Sequence, residues 1–342
     1  EIYTLSLHDA LPIFGAALLV EQGYDVTGVY MKNWSEDLPG MHCPWADDVA
    51  DAKRVAVGLG IDFRVFDFQK EYKQNVVDYM IREYQAGRTP NPDVMCNQEV
   101  KFKVFLEACL KEGADYIATG HYARTDGGHL LRARDDNKDQ TYFLYRVTSE
   151  ALAKTIFPLG DFTKAEVREM AKDRGLWTAS KKESMGICFV GQVGIREFLS
   201  EYVETSPGDI IDKQTGLTVG KHDGAIFYTI GQRHGLNIGG GLPYYVVGKD
   251  MAKNEVYVSR SIDDDQLWRR TVQLTDIHWI NQPLADGDNI QVRLRHRGAL
   301  IDAVYNEAGL LNLKSAERAV APGQSAVLYD GETCLGGGII AA

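Results

Sequence analysis

The chain has 342 residues, 44% of them hydrophobic, with 25% charged and a mean hydropathy of −0.25. That length exceeds what one core usually serves, so two or three domains are expected, and the composition excludes a disordered or fibrous chain. The net charge of −11 argues mildly against nucleic acid as a partner but leaves room for a local basic face.

No apolar run approaches the length of a bilayer span, and no secretory leader opens the sequence. Five irregularly spaced cysteines do not resemble a disulfide framework, so a reducing cytoplasm is expected, with any important cysteine present for its chemistry.

Residues 1–14 show neither clean alternation nor a helical stripe. From Gly15 onward strand and helix signals alternate. Gly15 to Glu21 reads as helix and Asp25 to Tyr30 as a buried strand. Val49, Ala52, Val55, Ala56 and Leu59 recur at helical spacing, Phe63 to Phe66 is a short strand, and Val76, Val77, Met80 and Tyr84 form a helical stripe. Tyr116 to Thr119 is a further strand ending at Gly120-His121. Strands separated by helices imply a parallel sheet, whose carboxyl edge, where Met31 and Gly120-His121 fall, is where ligands bind. A basic stretch with Lys164, Arg168, Lys172, Arg174, Lys181 and Lys182 follows; on composition it is a solvated helix face. Beyond about Phe198, Gly-rich turns separate short β-like runs, and from Trp268 the runs alternate as in a small closed β domain. The expected division is 15–198 α/β, 199–267 mixed and 268–342 β-barrel.

Cys96 lies in Gly87-Arg88-Thr89-Pro90-Asn91-Pro92-Asp93-Val94-Met95-Cys96-Asn97, where the two prolines predict a rigid extended loop. Asp93 stands close enough in sequence to exchange protons beside the sulfur. Cys188 lies in Glu183-Ser184-Met185-Gly186-Ile187-Cys188-Phe189. Each cysteine alone reads as a small buried hydrophobe, as do Cys109 and Cys334. Cys43, in a loop beside His42, is a weak metal signal.

Taken together these blocks resemble the tRNA-specific 2-thiouridylases. The resemblance is carried by Gly87 to Phe102 and, in order, by Tyr30-Met31-Lys32-Asn33-Trp34, Ala114 to Tyr122, Lys138 to Leu144, Glu183 to Phe189, Tyr228 to Leu236 and Ala321-Pro322-Gly323-Gln324-Ser325. It implies a Rossmann-like PP-loop ATP pyrophosphatase domain, a small mixed domain and a C-terminal β-barrel. It further implies 2-thiolation of the wobble uridine of tRNA, by adenylation of the base with ATP and magnesium and then sulfur transfer from a cysteine persulfide. A sulfur-relay protein or cysteine desulfurase would supply the sulfur. Cys96 and Cys188 would be the catalytic pair and Asp93 their acid–base partner. Met31 and Gly120 would meet the nucleotide. Asn91, Pro92 and Asp93 would meet the target base, and His121, Lys138, Asp139, Gln140, Arg295, His296 and Gln324 the tRNA.

One departure stands out. Family members carry a Ser-Gly-Gly-x-Asp-Ser loop after the first strand, whose backbone N–H groups hold the pyrophosphate. Here Thr4 to Phe14 contains no glycine. The segment resembles translated adapter sequence, so residues 1–14 are expected to be non-native, the central strand lost, and the chain inactive or reduced to tRNA binding; another enzyme of the ATP-pyrophosphatase family is the remaining alternative.

Overall fold

The computed structural model describes residues 1–5, 10–37, 43, 45–175, 194–239, 241–261, 263–265 and 267–341. The first domain is built on a parallel sheet. Its strands are β1 (Ile2–Leu5), β2 (Val26–Lys32), β3 (Asp62–Asp67), β4 (Tyr116–Ala118) and a two-residue strand at Thr155–Ile156, in the order β3-β2-β1-β4 and then Thr155–Ile156. Every pairing is parallel. Helices Ala10–Glu21 and Trp45–Leu59 make the crossovers beside β1 and β2. This is the Rossmann-like layering expected from the alternating pattern.

The expected loss of the central strand is corrected. Ile2–Leu5 occupies that slot, with Ile2 opposite both Val26 and Tyr116. The tetrapeptide Ile-Tyr-Thr-Leu is rich in β-formers, and the side chains of Ile2 and Tyr3 fall on opposite sheet faces. Ile2 packs with Leu19, Val26 and Ala118, whereas Tyr3 joins the cluster holding Cys96, Phe102 and Phe105 on the other face. Burying each of these side chains contributes roughly 1.5–3 kcal/mol. A missing loop motif does not bear on the strand before it, which needs only backbone pairing and two apolar faces.

The middle domain is a four-stranded sheet of Gly208–Asp212, Thr218–His222, Tyr245–Asp250 and Glu255–Ser259 around Ile210, Val246, Val256 and Val258. The third domain is a six-stranded antiparallel barrel of Trp268–Trp279, Asn289–Arg293, Ile301–Asn306, Leu310–Arg318, Ser325–Asp330 and Thr333–Ile340. It is closed by pairing of its first and last strands, as the alternation from Trp268 predicted. A hairpin of the first domain, Arg124–Asp126 and His129–Leu131, extends the barrel sheet by pairing with Thr333 and Cys334. Ile280, Val327, Tyr329 and Cys334 of the barrel share one apolar cluster with the first domain's core. No helix among the described residues is long and apolar enough to cross a membrane.

Candidate active site

The sheet reverses its winding at β1, which lies between β2 and β4. Leu5 ends β1 opposite Val29, and Thr4 is opposite Ala118. Met31, two residues further along β2, and Gly120, two residues beyond β4, therefore flank the carboxyl end of β1. This is the crevice where open α/β sheets bind ligands. Met31 is buried. Beside Gly120, His121 holds its Nδ1 2.8 Å from the Thr119 hydroxyl, with Phe102 and Phe157 packed against its ring. Burial, assisted by the charge of Lys101, holds its pKa well below the ordinary value, so the imidazole is neutral.

Cys96 comes from the next element. The expected extended loop ends earlier than the prolines suggested. Asn91 is extended, at φ −113° and ψ 94°, and a helix begins at Pro92. Proline costs nothing there, because the first helical N–H has no partner in any helix. Helix Pro92–Met95 runs into a π-helical stretch, Cys96–Phe105, and then Leu106–Lys111. Such wide turns are rare and frequently mark functional segments. Cys96 stands at the junction with only 2% of its surface exposed. Its neighbours are tied down. Asn97 donates its amide to the Phe143 carbonyl at 2.9 Å, and Gln98 accepts from Arg146, which in turn donates to the Asp276 carbonyl in the barrel at 2.8 Å.

Asp93 sits one turn before Cys96. Burial pushes its carboxyl above the usual range, with the Lys101 ammonium opposing the shift. Lys101 thus acts electrostatically on both Asp93 and His121. It was not singled out from the sequence, although its place eight residues after Asp93 on a helical run was a usable signal.

The residues assigned to tRNA by resemblance fall into two groups. Asp139 is buried and bonded within the protein. It accepts from Arg293 at 2.7 Å and from the Thr141 hydroxyl at 2.9 Å. Gln140 accepts the Tyr122 backbone N–H at 2.8 Å, next to His121. On the barrel side, the His296 ring lies 4.4 Å from that of Phe143, the residue whose carbonyl holds Asn97. Desolvation, then the charges of Arg297 and Arg293, push His296 down to about 4. Arg295 is exposed and pairs with Glu317 at 2.8 Å. Gln324 donates to the Thr89 carbonyl at 3.0 Å. The structure therefore gathers Asn91, Cys96, His296 and Gln324 around one seam between the first domain and the barrel. Of the basic residues, Arg293 is buried against Asp139, whereas Arg174 stays exposed and is engaged by Glu21 at 2.7 and 2.9 Å.

Cys188, Lys181, Lys182 and His42 lie outside the described residues. Cys43, Cys96, Cys109 and Cys334 are buried, and Cys43, Cys109 and Cys334 form no disulfide. Among the described residues no group of three metal-ligating side chains could hold an ion.

Residues 13–192 match the family described as tRNA methyl transferase HUP domain, 196–260 the tRNA methyl transferase PRC-barrel domain, and 269–340 the Aminomethyltransferase beta-barrel domain. The chain is 46% identical over 336 residues to the tRNA-specific 2-thiouridylase MnmA of Bacillus subtilis, covering 95% of this chain and 90% of that protein. The chain belongs to the tRNA-specific 2-thiouridylase family. Membership extends beyond one lineage. The thiouridylase of Bacillus licheniformis is 47% identical over 337 residues, covering 95% of this chain and 90% of the relative, and that of Chromobacterium violaceum is 46% identical over 338, covering 95% and 88%. The three matched segments follow one another along the chain in the order of the α/β sheet, the four-stranded sheet and the barrel.

Proposed function

We propose that this chain is built to transfer sulfur to a uridine of tRNA, with Cys96 and Cys188 as the sulfur-handling pair. The observation that carries the reading is the placement of Cys96. It is a buried cysteine at the junction of two helical stretches, one turn from a buried carboxyl, in a seam lined by Asn91, Phe143 and His296. Membership of the thiouridylase family supplies the reaction class. The methyl transferase wording attached to two of the matched segments is outweighed by relatives named as 2-thiouridylases along 95% of this chain.

In this reading a persulfide on Cys188 carries the sulfur. The Cys96 thiolate attacks its inner sulfur, the S–S bond of the persulfide breaks, and hydrosulfide leaves toward the activated base. A Cys96–Cys188 disulfide remains, to be reduced by an external thiol. Asp93, whose burial favours the protonated form, serves as the group that gives and takes the proton at this step. The target base comes from an unpaired loop, because only there can a base leave its stack. Asn91 to Asp93 would meet that base. Arg295, His296 and Gln324, on the barrel side of the seam, would meet the RNA around it, while buried Asp139 would act by fixing the seam. The reading carries cytoplasmic work with it, as tRNA and a persulfide donor imply.

ATP fits the chain only in part. Met31 and Gly120 flank the crevice at the carboxyl end of β1, as the nucleoside requires. Residues 6–9, Ser-Leu-His-Asp, lie between β1 and the helix that starts at Ala10, and they offer no glycine for close backbone approach. With no glycine in that stretch of sequence to cradle a pyrophosphate, we derive no adenylation step in this chain and infer that it does not activate uridine. A catalytically silent tRNA-binding protein is the second reading, favoured by that one defect. Restoring a Ser-Gly-Gly-x-Asp-Ser loop between β1 and the first helix, then assaying 2-thiouridine with Cys96 or Ser at position 96, separates the two. Thiolation that depends on Cys96 supports the first reading, and equal product from Cys96→Ser removes it.

A further inference from the structure

The segment leading into the Cys96 helix is bonded by both other domains at a single residue. The Thr89 N–H donates to the Pro322 carbonyl at 2.9 Å, and the Thr89 carbonyl accepts the Gln324 side-chain amide at 3.0 Å, both partners being in the barrel. The Thr89 hydroxyl lies 3.0 Å from that of Thr229 in the middle domain. The contacts on either side are close. A Cβ on Gly323, whose φ is +88°, would stand 2.8 Å from Thr89 N and from Arg88 Cβ, and one on Gly87, φ +76°, would stand 2.7 Å from Met251 Cγ. Arg88 is itself fixed by two bonds of 2.6 Å to Glu83.

We propose that Thr89 is a positioning residue, a latch through which the middle domain and the barrel together hold the segment Asn91–Cys96 and keep the Cys96 thiol covered. Three residues of chain separate Thr89 from Asp93, and Pro90 and Pro92 stiffen that connection, so movement at Thr89 passes to the start of the helix rather than dissipating in a soft loop. Gln324 gives the latch a way to open. Its amide is spent on Thr89 in this structure, and an RNA group that claims the amide leaves the Thr89 carbonyl unpaired. This rests on the proposed function in taking Cys96 as the nucleophile and Gln324 as an RNA contact.

The test reads thiol chemistry, so it does not depend on ATP or on turnover. The intact chain is treated with iodoacetamide, and the alkylation rate of each cysteine is followed by peptide mass spectrometry. Thr89→Val and Thr229→Val remove the same hydroxyl pair with little change of shape, and Gln324→Leu removes the amide donor. Each should speed alkylation of Cys96 about fivefold, the equilibrium worth of one ordinary hydrogen bond. Thr89→Val combined with Thr229→Val should add nothing to either alone, since they share one bond. Thr89→Ser should keep the native rate. Cys109 and Cys334, both fully buried, serve as internal controls and should not change. An unaltered Cys96 rate in the Thr89→Val, Gln324→Leu double variant overturns the latch. A parallel rise at all three cysteines also overturns it, because that pattern reports general loosening.

Discussion

Arg293 Nη1 lies 2.7 Å from Asp139 Oδ2, with both side chains buried at the seam between the α/β domain and the barrel. The two residues are 154 positions apart, and neither neighbourhood in sequence announces the pair. Asp139 also accepts from Thr141, and Arg132 approaches it at 3.8 Å, so the carboxylate is well satisfied. Removing one partner of such a pair strands a charge, at a cost of about 3–5 kcal/mol. Arg293→Met should therefore lower the midpoint of urea unfolding, and Arg293→Met with Asp139→Leu should recover much of the loss. A single variant as stable as the parent would mean that the pair does not hold the seam.

The central strand gives a second prediction. Thr4 is buried in β1, between β2 and β4, where its backbone belongs to the ladder. Thr4→Pro removes a ladder donor in the middle of a sheet and should unfold the first domain or destabilise it by roughly 3 kcal/mol or more. Tyr3→Ala, which empties a fully buried site, should cost about 3–5 kcal/mol. Hydrogen exchange at Thr4 as fast as in an exposed tail would contradict the placement of β1.

These two features show what was legible in the sequence. The β2, β3 and β4 strands and the barrel alternation were readable because their side-chain period is local. The Cys96 helix was misread at its start because Pro92 looked like a breaker, whereas it sits at the first helical position. The burial of Arg293 has no local signal, because its acidic partner lies 154 positions away in sequence. Strand β1 was discarded on the strength of a missing glycine loop, yet a strand and the loop after it answer to different physics. One needs alternating apolar side chains and the other needs close backbone approach.

His296 supplies a pH dependence. Its folded pKa is held near 4, against an ordinary value of about 6.5, so the unfolded chain binds more protons between those limits. Stability should be fully present above pH 6.5 and fall as pH drops toward 4. His121, also held neutral, acts in the same direction. His296→Gln should flatten the loss without removing it, and a His296 proton resonance titrating near pH 6.5 would contradict its desolvated setting.

Cysteine chemistry should be uneven along the chain. Once the chain carries a functional glycine loop, Cys96→Ser and Cys188→Ser should each abolish thiolation. Cys109→Ser and Cys334→Ser should leave it intact with a loss of packing, since both thiols are buried and pushed far up by desolvation. Mass spectrometry of nucleosides after digestion of the tRNA reads all four.

The measurement that bears most directly on the account is ATP-dependent formation of 2-thiouridine in tRNA, with a persulfide donor present, by two proteins side by side. One is the chain as it stands, and the other differs only in carrying Ser-Gly-Gly-x-Asp-Ser between β1 and the first helix. Loss of even one well-placed donor to a developing anion costs on the order of a hundredfold in rate, and here no glycine cradle follows β1. The account predicts no product from the first protein and ready thiolation by the second. Thiolation by the unaltered chain would contradict it, since residues 6–9 would then be holding pyrophosphate without a glycine.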